Sequence, residues 1–464
     1  MKKILSLKCR TATLMSLLLA LSATLAYAQN PATTLEERHL PRYDEQTQRM
    51  EQGEVDLLWV GDSITDFWDT TGKEVWDQYY GNRKAMNFGI GGDRTGHVLW
   101  RLENSPVEKI SPKMTIVMIG TNNVWHKKPN SEETHSTPAE TVEGIEAVVN
   151  CLKAKFPKTK ILLLEVFPSG ATADDPHRLA VNEVNKGLEA IYANSAVENV
   201  QLFSINNLFL NKDGSIPKEL MPDFVHPSVE GYKLWAKAVE PMIADGLEEN
   251  TKDTTPTAID PEWWSNHSAK RNEAFKKGDV DILMIGDSIT RRWEADGAQV
   301  WEKYFGEKSS LRAINLGDSG EQTQHVLWRL DRYDFSNANP KAAVLLIGVN
   351  NTWSNDRAPK DVALGQRRIV KKLRALFPNM KIFVMKIFPC TMVQDRIDPI
   401  NELTPYYIAD IPNVEFVDIN KVFLNEDGVL TKDVMPDLLH PNALGYESWA
   451  AAMYLKLKAV VEAP

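Results

Sequence analysis

The chain has 464 residues, 43% hydrophobic and 25% charged, with a formal net charge of −10. That length exceeds one ordinary core and predicts two domains, each with enough apolar material to fold. The acidic balance leaves no basic excess to neutralise phosphates, which argues against nucleic acid or an anionic membrane as the main partner.

The chain opens as an export signal. Lys2, Lys3, Lys8 and Arg10 form a positive region, 14–25 is an apolar run, and Ala26-Tyr27-Ala28 is a small-x-small cleavage site. Gln29 is therefore the expected first mature residue. The apolar run is short for a membrane anchor, and no other stretch reads as a span. The expectation is a periplasmic or secreted protein, 1–28 being the signal peptide, with no stable membrane insertion. Cys151 and Cys390 fall in different halves of the mature chain. One cysteine per half is not a disulfide framework, and both are expected as separate buried thiols.

A short apolar run then stops at Gly61-Asp62-Ser63. It reads as a buried parallel strand with the serine just past its C-terminal end, where open α/β sheets bind ligands. Strands are expected over 56–60, 85–88, 115–119, 160–166 and 200–203. Helical stretches alternate with them. The clearest is 139–155, where Val142, Ile145, Val148, Val149 and Leu152 recur at helical spacing. A last helix is expected over 232–243. The polar, proline-punctuated stretch after it reads as a linker, 249–260, between a first domain at 29–248 and a second at 261–464.

The second half repeats the first. Gly286-Asp287-Ser288 matches Gly61-Asp62-Ser63, and His325-Val326-Leu327-Trp328-Arg329-Leu330 matches His97-Val98-Leu99-Trp100-Arg101-Leu102. Gly348-Val349-Asn350-Asn351 matches Gly120-Thr121-Asn122-Asn123, and Asp437 with His440 matches Asp223 with His226. Strands recur at 342–347, 381–387 and 414–417. Alternating βαβ units with apolar strands predict a parallel sheet with helices on both faces, twice over. Length differences fall between the shared blocks, so the copies should differ in the loops around their sites.

Each copy sets polar residues where a sheet core has no use for them. Ser63 follows the first strand, a glycine loop follows the second, Asn122 follows the third, and Asp223 and His226 lie in a proline-flanked loop. These are the parts of an ester-cleaving site: a serine nucleophile, a histidine base, an aspartate that holds the imidazole tautomer, and amide donors for an oxyanion. A metal reading of Asp223 and His226 lacks a second histidine at ligand spacing, so neither a metal nor a cofactor is expected.

In these blocks the chain resembles the GDSL/SGNH serine hydrolases, through Gly61-Asp62-Ser63-Ile64-Thr65, Asn87-Phe88-Gly89-Ile90-Gly91-Gly92-Asp93, Gly120-Thr121-Asn122-Asn123 and Asp223-x-x-His226. The likeness is closest to the catalytic subunits of platelet-activating-factor acetylhydrolases and covers nearly all of both repeats. It implies two three-layer α/β/α sandwiches of flavodoxin-like type. It also implies a triad of Ser63, Asp223 and His226, with an oxyanion hole from the Ser63 N–H, Gly92 and Asn122. The second set is Ser288, Asp437 and His440 with Gly320 and Asn350. There the glycine loop departs: Asp318 and Ser319 replace Ile90 and Gly91, which puts its geometry in question.

The flanks of the two serines differ. Asp66 and Trp68 follow Ser63, whereas Arg291 and Trp293 follow Ser288. The hypothesis is a neutral or cationic acyl carrier at the first site and an anionic one at the second, with charges on a solvated helix face as the equal rival; for the tryptophans helix packing is the commoner role and a sugar platform the alternative. His97 and His325 read as structural. The longer loop from Trp125 to Pro138 reads as a lid on the first site only, its counterpart being Trp353 to Pro359. The expected activity is an exported esterase acting on small acyl, chiefly acetyl, esters of carbohydrate. Alternatives are a phospholipid or platelet-activating-factor-like acetylhydrolase, and a glycan-binding protein with an inactive domain. Family catalytic subunits pair, so the two domains are candidates for pairing within one chain.

Overall fold

A computed structural model describes residues 30–127, 134–192, 197–306 and 309–463. The expected signal peptide and the middle of the expected lid lie outside the described residues. The chain divides into two compact units, one ending at Ala236 and the other starting at Lys237.

The first repeat runs α1 Pro41–Glu51, β1 Leu57–Gly61, α2 Ser63–Asp66, α3 Lys73–Tyr80, β2 Ala85–Gly89, α4 Thr95–Asn104, β3 Met114–Met118, α5 Pro138–Lys155, β4 Lys160–Leu164, α6 Pro176–Tyr192, β5 Val200–Phe203 and α7 Val229–Gly246. The division between units falls inside α7. The second repeat runs α8 Pro261–Lys277, β6 Ile282–Gly286, α9 Ser288–Arg291, α10 Ala298–Tyr304, β7 Ala313–Gly317, α11 Thr323–Leu330, β8 Ala342–Leu346, α12 Pro359–Leu376, β9 Lys381–Met385, α13 Gln394–Ile408, β10 Val414–Val417 and α14 Ala443–Val461.

Each repeat forms a five-stranded parallel sheet. The orders are β2-β1-β3-β4-β5 and β10-β9-β8-β6-β7, the same topology read from opposite edges. This is the flavodoxin-like order, which opens a crevice at the C-terminal ends of β1 and β3, and of β6 and β8. Helices cover both faces, so the architecture is two α/β/α sandwiches.

Strand alternation sorts the core. Leu58 and Val60 of β1 pack with Val98, Val148 and Val184 on one face. Trp59 turns to the other, where its ring lies 5.5 Å from Trp68, 5.0 Å from Tyr80 and 5.3 Å from Trp235. In the second repeat Met284 takes the place of Trp59, within a cluster that includes Trp293, Phe305, Tyr446 and Trp449.

Glycines end the strands for a steric reason. Gly61 pairs with Gly89 and Met118. A Cβ on Gly61 would lie 2.1 Å from Thr65 Oγ1, and one on Gly89 would lie 2.4 Å from Asp66 N. The helix that starts at Ser63 therefore sits directly on the strand ends, and only glycine admits it. Gly286 and Gly317 repeat this against Thr290 and Arg291, at 2.2 and 2.3 Å.

Within the stretch read as a linker, Asp253 is buried. It accepts from Asn351 Nδ2 and Arg357 Nη1, both at 2.7 Å, so this part of 249–260 is packed chain. The cysteine expectation needs one correction. Both thiols are free, but only Cys390 is fully buried; Cys151 is partly buried at the core's edge, beside Glu103 and Lys155. Among the described residues no helix is long and apolar enough to cross a membrane.

Candidate active sites

The first site starts at the turn from β1 to α2. The Asp62 side chain caps α2 by accepting from Ile64 N at 3.0 Å, which leaves Ser63 as the first helical residue. Tyr232, from α7, donates its hydroxyl to the Ile64 carbonyl at 2.8 Å and clamps the turn. Asp287 and Tyr446 repeat both contacts, at 3.0 and 2.6 Å.

The Asp-x-x-His loop is a side-chain-locked turn. Asp223 Oδ1 accepts from Val225 N at 3.1 Å and His226 N at 2.8 Å, with Phe224 left-handed at φ 62°. Its Oδ2 accepts from His226 Nδ1 at 2.7 Å, and His226 Nε2 lies 2.9 Å from Ser63 Oγ. The second site repeats the series, with Asp437 Oδ2 to His440 Nδ1 at 2.7 Å and His440 Nε2 to Ser288 Oγ at 2.8 Å. An imidazole held in this way has Nε2 free to take the serine proton. Burial alone would raise Asp223 and Asp437, but the donated N–H groups and the imidazole hold both below the usual carboxylate range.

The two sites differ around the histidine. Phe67 packs on the His226 ring at 5.0 Å. The same step after Ser288 is Arg292, which pairs instead with Asp296 at 3.3 Å.

The Asn122 amide donates one hydrogen to the Asp93 carbonyl at 2.9 Å, and Asn350 does the same to Glu321 at 2.9 Å. A primary amide has two hydrogens, so one remains for a bound oxyanion. Gly92 and Gly320 are both left-handed, at φ 80° and 77°, in the loop facing that amide. Asn123 and Asn351 are instead structural: each accepts from the first N–H of the neighbouring helix, at Thr95 and Thr323.

The second glycine loop keeps its shape by exchanging its supports. In the first copy Arg101, wholly buried, donates to Asp93 at 2.9 Å, and Arg38 donates to Asp93 and the Gly91 carbonyl at 3.0 and 2.7 Å. In the second, Arg329 donates to Glu321 at 2.8 Å, while Arg271 grips Asp318 at 2.7 and 2.9 Å and the Gly317 carbonyl at 2.8 Å. Buried Asp318 is thus matched by a buried cation. Sequence reasoning does not single out Arg101 and Arg329 as site residues; the signal that could have found them is an arginine inside an otherwise apolar, twice-repeated helix.

The residues beside the nucleophiles behave differently from expectation. Asp66 accepts from Gly91 N at 3.1 Å and pairs with Arg42 at 3.1 Å, so it braces the glycine loop. Arg291 pairs with Glu294 at 2.7 Å and lines a cleft of about 750 Å³ with Lys270, Trp301 and Asn315. Trp68 and Trp293 are 0% exposed and pack at a tilt against Tyr232 and Tyr446, each with ring centroids 4.4 Å apart. Of the two readings of these tryptophans the packing one agrees with the structure and the sugar platform does not: a platform needs an open indole face, and these faces belong to the core. His97 and His325 each accept the N–H that precedes their helix, at 3.0 Å from Arg94 and Gln322, and burial pushes both down to about 4. Among the described residues no three His, Cys, Asp or Glu side chains form a group that could hold a metal.

Two parallel α/β/α units, each with a Ser–His–Asp series at the switch-point crevice, define a hydrolase-like class. The GDSL-like lipase/acylhydrolase family model matches residues 59–234 and 284–447, and the chain belongs to this family. It is a carboxylic ester hydrolase. It is 37% identical over 205 residues to platelet-activating factor acetylhydrolase IB subunit alpha2 of Rattus norvegicus and of Homo sapiens, covering 44% of this chain and 82% of each relative. A GDSL-like lipase structure from Bacteroides thetaiotaomicron is 17% identical, covering 42% of this chain and 96% of that one, with a TM-score of 0.35. An acetylxylan esterase structure from Geobacillus stearothermophilus is 18% identical, covering 39% and 96%, with a TM-score of 0.32.

Proposed function

We propose that both units hydrolyse small acyl esters, acetyl above all, and that O-acetylated carbohydrate met outside the cytoplasm is the substrate class. Ser63 and Ser288 attack the ester carbonyl as His226 and His440 take their protons. Asp223 and Asp437 hold the imidazole tautomer and stabilise its charged form. The serine N–H, the glycine N–H (Gly92 or Gly320) and the spare asparagine amide hydrogen (Asn122 or Asn350) receive the oxyanion. The carrier alcohol leaves with the proton from histidine. Water, activated by the same imidazole, then frees the acid from the acyl-serine.

The observation that carries this reading is the unbroken Ser–His–Asp hydrogen-bond series in both units, at 2.9 and 2.7 Å in one and 2.8 and 2.7 Å in the other. The relatives' name supports acetyl as the acyl group. The export signal read in the sequence supports a carbohydrate carrier. The same 37% identity favours a second reading, a phospholipid acetylhydrolase of platelet-activating-factor type. A glycan-binding protein with one inactive unit is disfavoured by the complete series in both.

The test is turnover of 4-nitrophenyl acetate by the full chain and by Ser63→Ala, Ser288→Ala and the double variant. Each single variant should lose one site's share and the double variant nearly all. Full activity in the double variant would sink the assignment. Acetate released from acetylated xylan, sialic acid, peptidoglycan and phospholipid then decides between the carriers.

A further inference from the structure

A different pair of tryptophans meets the requirement that Trp68 and Trp293 fail. Trp125 and Trp353 each lie three residues past the oxyanion-hole asparagine, Asn122 or Asn350, and are 43% and 46% exposed. A large indole left half in water, at the same step in both units, is unused apolar surface beside a site that must hold a carrier.

Both indoles stand on braced turns. The Trp125 ring meets His177 edge to face at 4.3 Å. His177 is buried, with Nδ1 2.7 Å from Ser169 Oγ and Nε2 3.1 Å from the Thr121 carbonyl, which pins the turn carrying Asn122. In the second unit Arg396 donates to the Thr352 carbonyl at 2.7 Å and pins the turn carrying Asn350. A braced ring loses little freedom when a ligand packs on it.

The setting of Trp353 selects the ligand class. Thr352 and Ser354, on either side of it, line a hollow of about 200 Å³ whose wall is mixed, with Asn355, Arg357, Asp395 and Arg396 on its polar part and Pro359, Val362 and Ile400 on its apolar part. An acyl chain would need continuous apolar wall. A wall that alternates apolar side chains with hydroxyl, amide, carboxylate and guanidinium groups, next in the chain to an open indole, suits a ring that is apolar on its faces and polar at its edge.

We propose that Trp125 and Trp353 are specificity-determining residues on which a sugar ring of the acyl carrier stacks, and that in the second unit the hollow beside Trp353 receives that ring's hydroxyls. This rests on the carbohydrate reading above.

The test uses the full chain with one nucleophile silenced, so that each site is read alone. In the Ser63→Ala background, Trp353→Ala should raise KM for an acetylated xylo-oligosaccharide about tenfold more than KM for 4-nitrophenyl acetate, and Trp353→Phe should recover most of the difference. Trp125→Ala in the Ser288→Ala background should do the same. Equal KM changes for both esters would overturn the platform and leave the carbohydrate reading standing. A second measurement needs no turnover: Ser63→Ala/Ser288→Ala titrated with deacetylated xylo-oligosaccharide should change its tryptophan fluorescence, and removal of Trp125 and Trp353 should abolish that change. No fluorescence change in the parent overturns the platform. A change without any turnover of saccharide esters overturns the carbohydrate esterase reading and with it the carrier role of the two tryptophans, leaving them a sugar-binding face only.

Discussion

Arg271 and Asp318 form a buried two-point ion pair beneath the second glycine loop, with contacts of 2.7 and 2.9 Å. The corresponding residues in the first unit are Gln46, which donates to the Gly89 carbonyl at 2.8 Å, and the buried Ile90. The loop backbone is the same in both: Ile90 N reaches Gly61 O at 3.4 Å, and Asp318 N reaches Gly286 O at 3.1 Å. A neutral pair in one unit has become a charged pair in the other. Breaking a buried pair strands a charge and costs about 3–5 kcal/mol, whereas replacing both partners is far milder. Arg271→Gln should therefore destabilise the second unit by about that much, and Arg271→Gln/Asp318→Ile should recover most of it. Thermal melts and second-site turnover in the Ser63→Ala background check this. A double variant no better than the single would show that the two changes are not coupled.

Asp66 holds the Gly91 N–H, so its removal should loosen the first glycine loop without changing which esters are preferred. Asp66→Ala, read in the Ser288→Ala background, should lower kcat about tenfold, in line with a weakened oxyanion donor. The ratio of rates for neutral and charged esters should stay constant. A changed ratio would instead put Asp66 in contact with the carrier.

Asp223 and Asp437 should matter through the histidine they orient. Asp223→Ala in the Ser288→Ala background, and Asp437→Ala in the Ser63→Ala background, should lower kcat about 10³–10⁴-fold with little change in KM. Loss confined to KM would contradict the role assigned to them.

Burial pushes the carboxyls of Asp62 and Asp287 up to about 7, against the lowering effect of the N–H groups of Ile64 and Ile289. The unfolded carboxyls release their protons near 4. The folded state binds these protons more tightly, so this contribution to stability is complete below about 4 and is lost as pH rises through about 7. Asp62→Asn/Asp287→Asn keeps the cap acceptors and removes the titration. Its melting temperature should gain on the wild type between pH 5 and pH 8.5. Parallel melting profiles across that range would refute the assignment.

Much of the fold is legible in the sequence because its signals are local. Apolar strands ending in Gly61 and Gly286 announce themselves by composition, and helix 139–155 by periodicity; α5 begins one residue earlier, at Pro138. The readings 160–166 and 381–387 run two residues past β4 and β9, because the apolar Val166 and Ile387 lie just beyond one charged residue, Glu165 or Lys386, after the strand end. The Ser, Asn, Asp and His blocks are visible because they recur in order. Trp68 and Trp125 are the reverse case. Each is one tryptophan near a candidate site residue, and nothing in the sequence says which of the two is packed in the core and which is open to water.

By itself the sequence determined the duplication, the parallel α/β architecture and the four blocks of each candidate site, since repeat order, strand hydrophobicity and loop chemistry are written along the chain. Only the tertiary structure decided what each side chain faces. Asp66 braces a loop, Arg101 and Arg329 anchor that loop from within the core, and Arg271 neutralises Asp318. These roles depend on partners from 8 to 47 positions away. Residues so separated become neighbours only when parallel strands bring their C-terminal ends to one edge.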